Sequence, residues 1–225
     1  MEDDQLSALR AIMIQEIAAH ARFARDHIGK SVLDPAVMEA LAKVPRHDFV
    51  PVELKSYAYT DSPLPIGYGK TISQPFIVAL MTDLLELKPE DKVLEIGTGL
   101  GYQAAVLAEL AGEVYSVEIV EELARDARIR LSRGGYRNVH LKLGDGYYGW
   151  PEHAGYDKVI ATAAPDLVPP PLLGQLKPGG RMVIPAGMPE AQQLMLVVKD
   201  WQGRVTMREM LPVRFSAFEP GDRDG

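Results

Sequence analysis

In the first third of the chain, apolar residues recur at spacings of three and four, and this period predicts helices. The first predicted helix covers residues 6–28 and the second covers residues 34–41. The second begins with an Asp-Pro pair, which is typical of an N-cap followed by a first-turn proline. Residues 45–69 follow no long period and predict a long ordered loop or several short turns. A third helix is predicted over residues 74–86.

After residue 88 the pattern changes to short apolar strands that alternate with helices. Such alternation predicts βαβ units and a mostly parallel sheet. The last two strands are separated by a short polar turn, which predicts an antiparallel hairpin. The predicted strands cover residues 93–96, 113–117, 139–143, 156–162, 181–184, 194–199 and 205–211. The predicted fold is therefore α/β, with a doubly wound, mostly parallel seven-stranded sheet and additional helices at the N-terminus.

This organisation predicts a single domain with three parts. Helices and loops over residues 1–88 pack on a core of residues 89–216, which ends in the hairpin. Residues 217–225 match no pattern, and we expect them to form a disordered tail. A length of 225 residues and a hydrophobic content of 47% suffice for one domain with a full core.

Composition and charge argue against several classes of site. A formal charge of −7 and a pI near 5.3 argue against nucleic-acid binding, which needs clustered Lys and Arg. Cysteine is absent, which removes disulfides, thiolate chemistry and cysteine zinc sites. The five histidines show no metal-ligand spacing, so we predict no metal site. An acidic N-terminus and the lack of an apolar run of ~20 residues predict a cytoplasmic protein.

A glycine-rich turn follows the first strand of the predicted core and opens a helix. Gly97, Gly99 and Gly101 have the spacing G-x-G-x-G, and Glu95 lies two positions before the first glycine. Glycines at such a turn let the backbone approach a ligand beside the helix N-terminus. The dinucleotide fingerprint G-x-G-x-x-G would need glycine at position 102, which is Tyr102. The spacing favours the cofactor loop of a methyltransferase, and an NAD-binding loop stays the alternative.

Two further carboxylates follow the next two predicted strands. Glu118 lies about 20 residues beyond Gly97, where a carboxylate can accept hydrogen bonds from both hydroxyls of a ribose. Asp145 follows the third strand at the same edge of the sheet, where it can accept from an adenine amino group. One acidic residue after a strand is common and would be an ordinary surface charge. Three acidic residues, one at the end of each of three successive strands, favour a cofactor that contains adenosine.

Longer segments of the chain resemble the protein-L-isoaspartate O-methyltransferases. The resemblance covers about residues 34–216, and its most specific motifs precede the glycine-rich turn. The matching segments are Pro45-Arg46-His47-Asp48-Phe49-Val50-Pro51, Ala58-Tyr59, Pro63-Leu64-Pro65-Ile66-Gly67, Thr71-Ile72-Ser73-Gln74-Pro75, residues 94–99 and 101–105, Gly144-Asp145-Gly146, residues 176–180 and Pro212-Val213-Arg214-Phe215.

The resemblance implies a class I methyltransferase fold and a repair enzyme that uses S-adenosyl-L-methionine and releases S-adenosyl-L-homocysteine. Its partners would be damaged proteins or peptides, in which it methylates the free α-carboxylate of L-isoaspartyl residues. The methyl ester then closes to a succinimide, which reopens partly as normal aspartate. Activity on D-aspartyl residues stays open, and we expect the enzyme to be a monomer without nucleic-acid or membrane partners.

The matched motifs also imply roles for individual residues. Thr71, Ile72 and Ser73 would bind the substrate, together with Val213 and Arg214 of the C-terminal motif. Ser73 is the predicted catalytic residue. The predicted cofactor-binding residues are Glu95, Gly97, Thr98, Gly99, Gly101, Gln103, Glu118, Ile119, Asp145 and Gly146.

Ser73 suits the implied chemistry because a carboxylate needs alignment rather than deprotonation. A carboxyl pKa of about 4 leaves the group ionised at pH 7, so no strong general base is required. Ser73 can donate to one carboxylate oxygen and leave the other free to attack, but it can also cap the helix near Pro75. Arg46 and His47 are not needed as a base, and we favour a structural or substrate-loop role for them.

The sequence departs from the family pattern in two places, and three rival functions stay open. Lys70 stands where Gln is more common, and residues 19–31 form a longer link than usual. The nearest rival is a methyltransferase of the same fold that acts on another carboxylate-bearing peptide or small molecule. A cofactor-binding protein without transferase activity is disfavoured by an intact Ser73, and an NAD-linked oxidoreductase is disfavoured by Tyr102.

Overall fold

The computed structural model describes residues 3–219, and its N-terminal part is helical. Helix α1 (Asp3–Phe23) is followed by α2 (Arg25–Ile28), so the helix predicted over residues 6–28 is interrupted once. The interruption lies at Ala24, which has the turn conformation ψ −1°. Helix α3 (Pro35–Lys43) begins after an Asp N-cap that accepts a first-turn N–H at 2.8 Å, as the Asp-Pro pair predicted.

Helix α4 (Pro75–Leu85) is apolar except for Thr82 and Asp83 and is buried on nearly every side. Ten of its 11 residues are buried, because it packs against the central sheet as well as α1 and α3. The N–H of Phe76 in its first turn donates to Asp61 of a distant loop at 2.8 Å. Asp61 is also paired with His20 of α1. The start of α4 is therefore held in place, and so are the residues just before it.

The region predicted as a loop over residues 45–69 contains short ordered elements. Two 3₁₀ helices cover Arg46–Phe49 and Val52–Tyr57. Strand β1 (Leu64–Gly67) then pairs antiparallel with β2 (Lys70–Ile72). The turn between them has positive φ angles at Tyr68 (55°) and Gly69 (67°). The sequence did not predict this hairpin, because its strands have only four and three residues and the first contains proline.

The central sheet consists of seven strands. They are β3 (Lys92–Ile96), β4 (Glu113–Glu118), β5 (Val139–Leu143), β6 (Tyr156–Ala161), β7 (Leu176–Ala186), β8 (Gln193–Lys199) and β9 (Val205–Pro212). Their order across the sheet is β5-β4-β3-β6-β7-β8-β9. The five neighbouring strands β5, β4, β3, β6 and β7 are parallel to one another, and β8 is antiparallel to both of its neighbours. The predicted mostly parallel seven-stranded sheet and its C-terminal hairpin are confirmed.

The order of the strands reverses between β3 and β6. The chain adds β4 and β5 on one side of β3, and it adds β6 and β7 on the other side. In open α/β sheets this reversal leaves a crevice at the C-terminal ends of the two central strands. The glycine-rich turn follows β3, so the topology places the predicted cofactor loop at that crevice.

The two faces of the sheet are covered unequally. One face packs against α4, α5 (Tyr102–Ala108) and α6 (Glu121–Arg133), with α1 and α3 packed on α4, around buried residues that include Val93. The other face, which includes Leu94, packs against α7 (Pro170–Gln175) and an aromatic group around Trp150. The doubly wound arrangement is therefore confirmed, with a thin second layer.

The segment after β9 returns to the sheet. Ala217 forms a parallel bridge with Ala164, and the N–H of Phe218 donates to the Ala164 carbonyl at 3.0 Å. Phe218 also packs against the core of the second face. The prediction of a disordered tail is wrong for residues 217–219, because the aromatic ring and the backbone bonds anchor them. Residues 220–225 lie outside the described residues.

Candidate active site

A cleft of about 920 Å³, its open mouth included, lies at the C-terminal ends of β3, β4 and β6. The cleft brings together predicted residues from both the substrate and the cofactor motifs. Those at its wall are Thr71, Ile72, Ser73, Gly97, Thr98, Gly99, Gln103, Glu118, Ile119 and Gly146.

The glycine-rich turn brings bare backbone to the cleft. Gly97, Gly99 and Gly101 have φ angles of 91°, 56° and 96°, which residues with side chains rarely adopt. The N–H of Gly97 donates to the Val117 carbonyl at 2.9 Å, and its carbonyl accepts the Thr162 hydroxyl at 2.7 Å. Gly97 thus joins β4 to the loop after β6, which fixes the turn at the reversal of the strand order.

Gly97→Ala should lower the free energy of unfolding by about 2 kcal/mol and weaken binding of S-adenosyl-L-homocysteine. An added Cβ would lie 2.5 Å from the Thr162 hydroxyl oxygen, on a backbone with φ of 91°. Gly144→Ala is the matched control, because its Cβ would meet nothing closer than 3.7 Å. Chemical denaturation and calorimetry measure both effects, and equal stability of the two variants would contradict the steric argument.

The carboxylate of Glu118 ties the glycine-rich turn to the end of β4. Its Oε2 accepts the N–H of Gly99 at 2.8 Å, and its Oε1 accepts the N–H groups of Ile119 and Val120 at 2.9 Å each. A carboxylate offers about four lone-pair sites, so three of them are in use. The remaining site is on Oε2 and is available for a ligand hydroxyl, while a second hydroxyl would compete with a backbone N–H. This environment fits the predicted ribose contact.

Glu95 does not line the cleft, although the sequence predicted it as a cofactor-binding residue. Its side chain is fully buried, and one carboxyl oxygen accepts a hydrogen bond from the Ser116 hydroxyl. The hydroxyls of Ser116 and Thr98 share a further hydrogen bond of 2.5 Å. Thr98 lies at the cleft wall. Glu95 is therefore linked to the cleft through two hydroxyl groups rather than directly.

Burial raises the pKa of Glu95 from its ordinary 4.5 to about 8; the hydrogen bond from Ser116 opposes this shift and the charge of Glu118 adds to it. The folded protein therefore binds this proton more tightly than the unfolded chain does. The stability that the proton contributes is fully present below pH 4.5 and is lost as the pH rises through about 8.

We expect the free energy of unfolding to fall between about pH 5 and pH 8, and Glu95→Gln to remove this component. Glutamine keeps a hydrogen-bonding oxygen near Ser116 but does not titrate. Glu90→Gln, at an exposed position, is the matched control. Urea denaturation at several pH values measures the slope, and a profile for Glu95→Gln identical to that of the unaltered protein would refute the assignment.

The segment Thr71-Ile72-Ser73 lines the same cleft as the glycine-rich turn. The alternative role of Ser73 as a helix cap is not observed. The N-cap position of α4 is Gln74, whose side chain makes no capping bond, and Asp61 binds the first-turn N–H instead. Ser73 is thus placed at the cleft without a capping role.

A buried arginine holds the backbone of Ser73. Arg46 donates from Nη2 to the Ser73 carbonyl and from Nε to the Ala58 carbonyl, both at 2.8 Å. Its guanidinium carbon lies 4.9 Å from the centre of the Tyr102 ring. Burial lowers the pKa of Arg46 to about 10, and the charges of Tyr102 and Asp61 oppose this shift. Arg46 therefore stays charged at neutral pH, and its contacts are those of a structural residue that positions Ser73.

Two more predicted cofactor residues lie beside the cleft rather than at its wall. Gly101 forms the N-cap of α5, where an added Cβ would meet the Leu131 side chain at 3.0 Å. The Asp145 side chain accepts the N–H of Tyr147 at 2.8 Å and so turns the chain after β5. Its neighbour Gly146 does line the cleft. Gly101 is thus required for packing, and Asp145 shapes the backbone that reaches the site.

The C-terminal segment lines the cleft with residues that follow the predicted pair, Val213 and Arg214. Val213 packs against the core, its N–H donates to the Gln192 carbonyl at 3.1 Å, and Arg214 is exposed. Neither lines the cleft, because the backbone at Val213 is still held beside the end of β8. Residues 215–219 line it instead. The Gln192 side chain holds Phe215 through two hydrogen bonds, at 2.6 and 3.1 Å. The aromatic pair Phe215 and Phe218 was the signal that sequence reasoning missed.

The wall offers unpaired acceptors that fit the predicted cofactor. Gln103 donates from Nε2 to the Thr82 hydroxyl at 2.9 Å, while its buried Oε1 has no partner among residues 3–219. A buried acceptor without a donor is unfavourable unless a ligand supplies one. Gln103, the remaining lone pair of Glu118 and the bare backbone at Gly97 therefore suit a ligand with hydroxyl and ammonium groups.

Metal and membrane features are absent from the described part of the chain. No group of three or more His, Asp or Glu side chains is placed to hold a metal ion. Over the same residues, no helix combines the length and the apolar character that crossing a membrane requires.

The chain matches known proteins over nearly its whole length. Residues 22–220 match the family model of protein-L-isoaspartate(D-aspartate) O-methyltransferases. Protein-L-isoaspartate O-methyltransferase 1 of a Polaromonas species is 64% identical over 222 residues, which cover 99% of this chain and 94% of that protein. Protein-L-isoaspartate O-methyltransferase 2 of Syntrophobacter fumaroxidans is 59% identical, over 97% of this chain and 89% of that protein.

Solved structures share the fold. A protein-L-isoaspartate O-methyltransferase matches with a TM-score of 0.81 at 30% identity, over 94% of this chain and 66% of that chain. A putative protein-L-isoaspartate O-methyltransferase of Plasmodium falciparum, in complex with S-adenosyl-L-homocysteine, matches with a TM-score of 0.77 at 20% identity. That match covers 92% of this chain and 96% of the other, and it bears on the fold alone. The predicted class I methyltransferase fold is confirmed.

Proposed function

The chain belongs to the protein-L-isoaspartate(D-aspartate) O-methyltransferase family, and we propose that it methylates the free α-carboxylate of L-isoaspartyl residues in damaged proteins and peptides, with S-adenosyl-L-methionine as the methyl donor. One observation carries this proposal: a single cleft is lined by Ser73 and its two neighbours and by the glycine-rich turn with Glu118. The first group suits a carboxylate, and the second suits a donor that contains adenosine.

S-adenosyl-L-methionine supplies, when bound, a methyl group that is already activated by a positively charged sulfur. The residues that would hold it are the backbone of Gly97 and Gly99, the carboxylate of Glu118 and the side-chain oxygen of Gln103. Asp145 stays a predicted adenine contact, which it would make beside Gly146. Glu95 acts indirectly, by fixing the hydroxyl of Thr98 through Ser116.

Ser73 orients the acceptor in this proposal. A carboxylate with a pKa of about 4 is ionised at neutral pH, so the protein needs no base to activate it. The Ser73 hydroxyl donates to one carboxylate oxygen, and the other oxygen attacks. Arg46 keeps the Ser73 backbone in place. Alignment of two reactants in this way contributes roughly 7–11 kcal/mol to lowering a barrier. A backbone amide nitrogen of the substrate then attacks the methyl ester, methanol leaves, and the resulting succinimide begins the repair.

Paired peptides test the proposal directly. The protein is incubated with labelled S-adenosyl-L-methionine and two peptides that differ only in having isoaspartate or normal aspartate at one position. We expect label on the isoaspartyl peptide alone. Equal labelling of both peptides, or of neither, would overturn the proposal, and labelling of an unrelated carboxylate compound would favour the nearest rival. A D-aspartyl version of the peptide tests the remaining substrate.

We predict a cytoplasmic monomer that binds no nucleic acid. Sedimentation of the purified protein tests the assembly state, and a mobility assay with RNA and DNA tests the absence of nucleic-acid binding. Cell fractionation tests the location.

A further inference from the structure

An ion pair crosses the cleft between the strand before Ser73 and the C-terminal segment. The Nζ of Lys70 lies 2.5 Å from the Oε1 of Glu219, and both residues line the cleft. Their side chains are 18% and 53% exposed, so the lysine is the more enclosed partner. Lys70 belongs to β2, and Ser73 follows it by three residues. Ser73 lines the same cleft.

Lys70 is the sole cation among the cleft residues of the described chain. The other charged residues at the wall are Glu118 and Glu219. Glu118 already accepts three backbone N–H groups, whereas Lys70 is paired with Glu219. A carboxylate therefore already occupies the one position in the cleft that attracts anions.

We propose that Lys70 binds the carboxylate of the isoaspartyl substrate and that Glu219 occupies this position as an internal carboxylate until the substrate displaces it. The inference rests on the proposed function, because an isoaspartyl residue presents a single free carboxylate. Lys70 and Ser73 both donate to one oxygen of that carboxylate, which has two lone pairs. The second oxygen is left to attack the methyl group.

The charge of Lys70 serves substrate affinity rather than the rate of the chemical step. Methylation converts a carboxylate anion into a neutral ester, so the negative charge is already diminished in the transition state. A cation beside it stabilises the bound substrate more than the transition state, which lowers KM without raising kcat. The ester has lost the charge that Lys70 attracts, so Glu219 returns and the product is released.

Glu219 is suited to an exchangeable contact. Its side chain is half exposed, and ion pairs between exposed groups are weak. A substrate carboxylate that also gains the Ser73 hydroxyl makes one more contact and can displace it. The same exchange would keep the cation paired between turnovers.

The test compares variants that separate affinity from rate. Lys70→Gln should raise KM for an isoaspartyl peptide about tenfold, with kcat within about twofold, because it removes the positive charge and leaves only a neutral donor for the carboxylate. Glu219→Gln should lower KM about two- to fivefold, because the competitor is gone. Calorimetric titration of the same peptide into the complex with S-adenosyl-L-homocysteine should show the same two shifts in Kd. Lys177→Gln is the control, since it removes a lysine from an exposed ion pair with Asp157 that does not line the cleft.

A variant with the charges exchanged, Lys70→Glu with Glu219→Lys, distinguishes substrate binding by Lys70 from a purely structural ion pair. If the ion pair only holds the C-terminal segment in position, both single variants shift KM in the same direction and the exchanged pair restores binding. We expect opposite shifts, and we expect the exchanged protein to bind the peptide as weakly as Lys70→Gln. Unchanged KM in both single variants of an active enzyme would overturn this inference alone. Failure of the unaltered protein to methylate the isoaspartyl peptide would overturn the proposed function with it.

Discussion

Replacing Ser73 with alanine is expected to lower kcat on an isoaspartyl peptide about a hundredfold, the effect of misplacing a reacting group by about 1 Å. Ser73 lies at the cleft wall, and Arg46 holds its carbonyl at 2.8 Å, so the hydroxyl projects from a fixed backbone. Without the hydroxyl, the carboxylate loses a donor that holds one oxygen and directs the other toward the methyl group. Affinity for S-adenosyl-L-homocysteine should stay within about twofold, because the cofactor is held by other residues.

Initial rates and calorimetric titration on one protein preparation measure both quantities. Ser216→Ala is the matched control, because it removes a hydroxyl from the same cleft and keeps the backbone bond from Ala164 to the Ser216 carbonyl. A loss of cofactor affinity as large as the loss of kcat would assign Ser73 to the cofactor site. The role proposed for it would then be wrong.

Glu118→Ala should weaken binding of S-adenosyl-L-homocysteine on the order of 100- to 1,000-fold, because several hydrogen bonds to one charged group are lost together. The variant removes the predicted partner of the ribose and also leaves the N–H groups of Gly99, Ile119 and Val120 without their acceptor. The glycine-rich turn is then no longer tied to β4. Thermal stability should fall as well, since these N–H groups are partly buried.

Two further variants separate the charge of Glu118 from its shape. Glu118→Gln keeps one acceptor oxygen, and we expect an intermediate affinity. Glu121→Ala changes an exposed carboxylate on the first turn of α6 and controls for net charge near the site. Calorimetry and thermal unfolding measure all three variants. Equal affinities of Glu118→Ala and Glu121→Ala would exclude Glu118 from the cofactor site.

The fold was largely predictable because its elements carry local signals. After residue 88, each strand and each helix has its own pattern of apolar residues. Strand β5, for example, has the predicted bounds. Residues 45–69 and 217–219 were predicted less well, because they lack such local signals. Short strands with a proline, and a segment anchored by Ala164 and Phe218, have no period that a sequence pattern reveals.

Part of the candidate site could also be predicted from the sequence, and part could not. The positive φ angles at Gly97 and Gly99 and the carboxylate of Glu118 after β4 follow from spacing along the chain, so they could be predicted. The exclusion of Glu95 from the cleft could not. It depends on how closely β3 and β4 and the turn pack around one side chain, and that packing also raises the pKa of Glu95 to about 8.

The sequence by itself determined the cofactor turn, the order of acidic residues after the strands and the identity of the segment that contains Ser73. The first two depend on backbone angles and spacings among neighbouring residues, and the third rests on the resemblance of that segment to a known family. The tertiary structure alone decided that Arg46 holds Ser73 across 27 positions and that Glu219 reaches Lys70 across 149. Such contacts arise because burial brings distant groups together, and no spacing along the chain records which groups will meet.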